Sequence, residues 1–171
     1  MKPLERMIVN SPYGPRVHPI SKDMSFHSGV DLKANYEKAY AVADGTVRIA
    51  KSSKYSIGNY IVIDHDGFTT IYGHMDSWNY EAGEFIIEGD VIGKTGNSGG
   101  STGPHLHFEI RLGNPQTLWS KDTTGRYNQS IDPIPYLDSM KVINYQALYE
   151  EQMEKWEQVK ELLIEIGELL G

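Results

Sequence analysis

Between positions 38 and 111 apolar and polar residues alternate in short runs: AYAVA, TVRIA, NYIVID, FTTIYGH, EFIIEGDVIG and HLHFEI. Turn-forming residues separate them at Asp44-Gly45, Asp66-Gly67, Glu88-Gly89-Asp90 and in the loop GKTGNSGGSTG. Runs of this length and period, bounded by Asp and Gly, predict a mainly β, antiparallel domain. No long helical period interrupts them. SIDPIPYLDSM, with its two prolines, predicts a short helical turn that closes the domain. After Asn144, a candidate N-cap, Tyr149, Gln152, Trp156, Val159, Leu163, Ile166 and Leu170 recur at three- and four-residue steps. That spacing predicts a long amphipathic helix, whose apolar stripe Leu148, Leu162 and Leu169 widen beyond a narrow two-stranded seam. The expected organisation is a β domain over residues 1–140 and a C-terminal amphipathic helix over 141–171.

Composition adds limits. A chain of 171 residues with 39% apolar and 23% charged residues is ordinary for one globular domain. There is no cysteine, so any metal must rest on His, Asp or Glu. The net charge of −7 argues against a broad hold on nucleic acid. Residues 145–171 carry seven acids against two lysines, which leaves the remainder nearly neutral. An apolar helix face must be covered, by its own domain or by another chain. The acids opposite it weigh against simple self-pairing, so docking to a protein partner is favoured over self-association through helix 145–171. The N-terminal MKPLERMIVNSPYGPR has no apolar run of leader type, and no apolar stretch reaches spanning length, so neither a signal peptide nor membrane insertion is expected.

The histidines hold the candidate chemistry. In STGPHLHFEI, His105 and His107 sit at i and i+2 of a strand and project to one face, with Leu106 and Phe108 directed to the core. In FHSGVDLKA, His27 and Asp31 flank Gly29, where a bend would let both side chains converge; this spacing alone is a weak signal. His74 ends a strand in TIYGHMD, where a buried, hydrogen-bonded histidine is the plain reading. His18 in RVHPI reads as structural or as a cleft rim, and His65 beside a tight turn as a surface residue. The glycine-rich loop is no Walker A motif: the first glycine would have to stand at Glu88, and no βαβ unit surrounds it. Its glycines instead allow the backbone to turn tightly and approach a ligand. HLHFE lacks the second histidine segment of a cupin.

In order along the chain, GPRVHPI, FHSGVDLKA, AVADGTVRIA, GNYIVIDHDGFTTIYGHM, EGDVIGKTGNSGGSTGPHLHFEI and DPIPYL resemble the lysostaphin-type (LytM-type) zinc endopeptidases, which cut peptidoglycan. The resemblance covers roughly Ser11 to Leu137. It implies an antiparallel β-sheet endopeptidase domain with a catalytic groove, Zn2+ as cofactor, His27, Asp31 and His107 as metal ligands, and His74 and His105 as catalytic histidines. All five positions are filled, which tells against the degenerate members that have lost ligands. The implied chemistry is attack by water on a peptide carbonyl, with His105 accepting a proton and His74 assisting the intermediate or leaving amine. The implied substrate is a cross-link or stem peptide of bacterial peptidoglycan; the alternative is a non-catalytic wall-binding or structural virion module on the same scaffold. Action at the cell wall without a visible leader leads to the expectation of a bacteriophage protein, carried on a virion tail or released at lysis, with a secreted bacterial enzyme whose signal has been removed as the alternative.

Overall fold

The computed structural model describes residues 1–123 and 125–170, and their side chains except those of 142–145 and 167–170. The strands are β1 (Val9–Ser11), β2 (Gly14–Val17), β3 (Met24–His27), β4 (Val30–Lys33), β5 (Lys38–Tyr40), β6 (Gly45–Lys51), β7 (Tyr60–Asp64), β8 (Phe68–Gly73), β9 (Met75–Trp78), β10 (Phe85–Ile86), β11 (Val91–Thr95), β12 (His105–Leu112) and β13 (Ser130–Ile131). One helix, α1, spans Pro133–Leu170. Every pair among these strands is antiparallel. The main sheet runs β1-β4-β12-β8-β7-β6-β10, with β13 on β12; β5-β11-β9 and β2-β3 form two smaller sheets.

All the apolar runs between positions 38 and 111 became strands. Central β8 is buried on both faces, and β12 alternates: Leu106, Phe108 and Ile110 enter the core, where Phe108 meets Tyr72 edge-on at 5.0 Å. The same alternation turns His105, His107, Glu109 and Arg111 to the opposite face. Two glycine positions are sterically required. A Cβ on Gly29 would lie 2.5 Å from the Phe108 carbonyl oxygen and 2.7 Å from Glu109 Cγ, so the approach of β12, not a left-handed turn, demands glycine there. Gly99 and Gly58 have φ of 69° and 68° and press their loops together so closely that a side chain on either would strike the other backbone.

The chain divides into two compact units, Met1–Tyr136 and Leu137–Gly171. α1 does not begin after Asn144 as the periodicity implied. It starts at Pro133, where Asp132 Oδ1 accepts a hydrogen bond from Ile134 N at 3.0 Å, so SIDPIPYLDSM is its first stretch rather than a separate turn. The side chain of Asn144 lies outside the described residues, as do those of Tyr145, Leu169 and Leu170. Of the expected stripe, Leu148, Tyr149, Trp156, Val159, Leu162, Leu163 and Ile166 are exposed. Among the described residues no helix is long and apolar enough to cross a membrane.

His65 is not on the surface. It is buried, its Nδ1–H donating to the Asp44 carbonyl at 2.8 Å while Nε2 accepts from Thr70 Oγ1 at 2.8 Å, and its ring stacks on Phe68 at 4.5 Å. The tight turn beside it folds the imidazole inward as a brace. Burial lowers its pKa from the ordinary 6.5, outweighing the Asp44 carbonyl and the nearby Asp64 charge. Below about pH 6.5 the unfolded chain therefore binds a proton that the folded chain resists, and stability falls as pH drops through that region. Urea midpoints at pH 7 and pH 5 should differ more for the wild type than for His65→Gln; an identical pH dependence in both would refute this.

Candidate metal centre and groove

Sheet register assembles the centre. His107 on β12 stands directly opposite Asp31 on β4 and, on its other side, opposite Gly73 at the end of β8. Directly opposed residues share a face with Cβ atoms about 4.5–5.5 Å apart. His74 follows Gly73, and His27 closes β3 with only Ser28 and Gly29 between it and the start of β4. Thus His27, Asp31 and His107 each offer a ligand atom within 4.8 Å of the others. His27 Nε2 lies 3.2 Å from His107 Nδ1 and 3.1 Å from Asp31 Oδ1, which is 2.9 Å from His107 Nδ1. Ligands about 2.0–2.1 Å from a tetrahedral ion are about 3.3 Å apart, so the triangle has the size of one face of such a site.

The hydrogen bonds behind these atoms set what they present. His27 Nδ1 is 2.8 Å from the Pro12 carbonyl, which can only accept, so the ring's hydrogen sits on Nδ1 and leaves Nε2 as a lone pair. His107 Nε2–H donates to Glu109 Oε1 at 2.8 Å, which leaves Nδ1 in the same role. Asp31 turns Oδ1 to both histidines while Oδ2 accepts from Arg16 at 3.0 Å. In those neutral tautomers three electron pairs converge on one point, which a cation or a shared proton would hold together. Burial would raise the Asp31 carboxyl, but the imidazoles of His105, His107 and His27 that face it, any of which can take up a proton toward it, outweigh burial and hold the group well below the usual carboxylate range. Burial would likewise lower His107; Asp31 and Glu109 on its two sides raise it instead to about 9. The point favours positive charge, whether a proton or a metal ion.

Two more imidazoles flank it. His105 Nδ1–H donates to the Gly103 carbonyl at 2.8 Å, and Nε2 faces Asp31 Oδ1 at 3.5 Å. The His74 ring lies 4.6 Å from His105 and 5.9 Å from His107, centre to centre, with Nδ1–H donating to the Ser98 carbonyl at 2.8 Å. Burial, and then the positive His107, lower His74 to about 4, so it is a neutral base at pH 7. Its φ of 57° is a left-handed conformation that side chains rarely adopt, held by a bond from His74 N to the Ile57 carbonyl at 2.8 Å. All five residues line one open groove of about 580 Å³.

Other groove residues carried no sequence signal of their own. Glu109, behind His107, is clamped by Arg111 through both Nε, at 2.9 Å, and a second guanidinium nitrogen, while Arg111 also donates to the Leu118 carbonyl at 2.7 Å. Continuing the i, i+2 alternation past His107 would have found both. Arg16 on β2 and Trp119, Lys121 and Tyr127 beyond β12 complete the walls. His18 Nδ1 accepts from Ser21 N at 3.1 Å and also lines the groove, so both readings of it hold. In the glycine-rich loop, Gly100 and Gly103 reach the groove, whereas Gly99 serves loop packing.

Comparison with known proteins agrees with this architecture. Residues 25–119 match the model of peptidase family M23. The chain is 38% identical over 114 residues to the DD-carboxypeptidase/endopeptidase Mpg of Neisseria meningitidis, covering 66% of this chain and 26% of that protein. It is 35% identical over 105 residues to the peptidoglycan DD-endopeptidase ShyA of Vibrio cholerae, covering 60% and 24%. It therefore spans about a quarter of the length of these curated relatives. Among solved structures, the catalytic domain of the antimicrobial peptidase lysostaphin from Staphylococcus simulans superposes with a TM-score of 0.63 and 28% identity, over 77% of this chain and 92% of that one. A match over more than half the sequence, carried by the same β scaffold, places the classification beyond motif resemblance: the chain belongs to peptidase family M23.

Proposed function

We propose that the protein is a zinc-dependent endopeptidase that hydrolyses peptide bonds in the cross-links or stem peptides of bacterial peptidoglycan. The observation that carries this is the meeting of three lone-pair donors and two further imidazoles in one open groove. Two imidazoles and a carboxylate without thiolate suit zinc with an open position; the same set serves non-haem iron in oxygenases, and membership of a peptidase family favours zinc. His27 Nε2, His107 Nδ1 and Asp31 Oδ1 would hold the ion. When bound, it would supply Lewis acidity and lower the pKa of water to about 7. His105 Nε2 takes the proton of the attacking water, and Gly103 keeps that ring in the tautomer that can do so. The proton that His105 takes up is returned to the leaving amine, directly or by way of His74, whose Nδ1–H is held by Ser98 and whose free Nε2 can accept it and pass it on; once protonated, that nitrogen can also donate to the developing oxyanion.

A glycosidic bond is the wrong target, because glycosidases usually place two carboxylates across the sugar. The two acids lining this groove, Asp31 and Glu109, are already held by histidines and arginines. The relatives' names support peptidoglycan as the substrate. Mass spectrometry of fragments from digested walls tests the reading: new peptide amino termini are expected, and disaccharides released with intact peptides would refute it. For the helix we propose docking to a second protein chain, supported by the exposed stripe from Leu148 to Ile166. Removing residues 145–171 should spare metal binding and hydrolysis of soluble fragments while abolishing assembly in light scattering; loss of the metal site on truncation would end that idea.

A further inference from the structure

We infer that Lys121 is the docking point for a free carboxylate of the substrate peptide, a specificity contact built on a segment that the family match does not reach. That match ends at residue 119, yet Lys121 and Tyr127 line the same groove as His27, His74, His105 and His107. Between β12 and β13 the chain forms a short antiparallel arm. Asn128 N donates to the Ser120 carbonyl at 2.9 Å, Lys121 pairs with Tyr127, and Asp122 N donates to the Arg126 carbonyl at 2.9 Å. Opposed residues on such a ladder share a face, which lays Lys121 Nζ 4.6 Å from the centre of the Tyr127 ring.

That ring is itself fixed. Trp119 packs edge-on against Tyr127 at 5.6 Å and against Tyr60 at 5.7 Å, the Arg111 guanidinium lies 4.7 Å from the Tyr127 ring, and Tyr127 N donates to Ser28 Oγ at 2.9 Å. A lysine whose ammonium lies over an anchored ring gives up less rotamer freedom on binding than one in open solvent.

Charge determines what it meets. Of the groove's acids, Asp31 is engaged by Arg16 and the histidines, and Glu109 by His107 and Arg111. Among the described residues no carboxylate pairs with Lys121, so in a chain of net charge −7 the arm brings an uncompensated cation to the groove wall. An ammonium with three donors selects an anion, and on a peptide that is a carboxylate. A run of glycines offers none along its length. The groove is thus matched to a stem peptide bearing an acidic side chain rather than to a glycine bridge, an inference that rests on the endopeptidase reading for its kinetic test.

The test uses the zinc-loaded protein and two muropeptide dimers that differ only in whether a diaminopimelate carboxylate is free or amidated. Wild type should favour the free carboxylate by about five- to tenfold in kcat/KM, through KM, with the preference shrinking as salt rises. Lys121→Gln should bring the ratio close to one, and Lys121→Arg should keep most of it. Equal wild-type efficiency on both dimers, or the same loss on both in Lys121→Gln, would overturn the inference while leaving the peptidase reading intact. Equilibrium binding of both dimers, read by Trp119 fluorescence, separates the converse case. A Lys121-dependent preference in binding without cleavage retains the carboxylate site and removes the peptidase reading; no preference in binding or cleavage removes the site.

Discussion

His105→Ala is expected to keep a full complement of zinc and lose turnover by about 10²–10⁴-fold, the range over which a positioned acid or base contributes. The geometry separates the two histidines of HLH. His107 Nδ1 lies 2.9 Å from the Asp31 oxygen and 3.2 Å from His27 Nε2, inside the triangle of donors, whereas His105 Nε2 faces the same oxygen from 3.5 Å and is held from behind by Gly103. His107→Ala, His27→Ala and Asp31→Ala should each lose metal first and activity as a consequence. Asp31→Ala carries a further cost, because the half-buried Arg16 loses its carboxylate and its buried Nε already lacks a hydrogen-bond partner. Elemental analysis of the four purified variants decides: a metal-free His105→Ala beside a zinc-bearing His107→Ala would reverse the assignment.

Glu109→Ala should be the most destabilising change near the site, although Glu109 is not itself among the three converging ligands. It would leave the fully buried Arg111 guanidinium with the Leu118 carbonyl and the Tyr127 ring but no counter-charge. Breaking a buried pair from one side costs about 3–5 kcal/mol. It would also free His107 Nε2 and with it the ring orientation and tautomer. Glu109→Gln separates these effects: similar in shape but uncharged, it should fold yet bind zinc about 10–100-fold more weakly, the usual cost of losing a carboxylate behind a ligating histidine. Urea midpoints and competitive zinc titration measure the two. An unchanged midpoint for Glu109→Ala together with unchanged affinity for Glu109→Gln would show that the ladder behind His107 is inert.

β5 to β8 and β10 to β12 were legible because each is a short alternating or apolar run bounded by turn residues, whereas β9 (MDSW) falls in none of those runs. β1 to β4 were not, because MIVNSPYGPRVHPISKDMSFHSGVDLKA interleaves short strands with Pro, Gly and polar residues, and their burial comes from neighbours distant in sequence. The five site residues named from the sequence do meet in one groove. What the sequence could not display was their support: the Pro12 carbonyl behind His27, Arg16 behind Asp31 and Arg111 behind Glu109 are contacts across strands. His65 misled for the related reason that exposure beside a turn depends on which way the turn folds. The helix start was misplaced by weighting Asn144 as a cap over Asp132, which stands immediately before a proline suited to the first helical position.

The central claim is that this groove cleaves peptide bonds in peptidoglycan through a metal held by His27, Asp31 and His107. Purified protein stripped by a chelator, then titrated with zinc against insoluble peptidoglycan, tests it most directly through the release of new primary amines. Release should be absent without metal, rise to a plateau near one zinc per chain, and vanish in His107→Ala. Amine release that persists in the metal-free protein, or a zinc-saturated protein that binds the wall and releases none, would contradict the account.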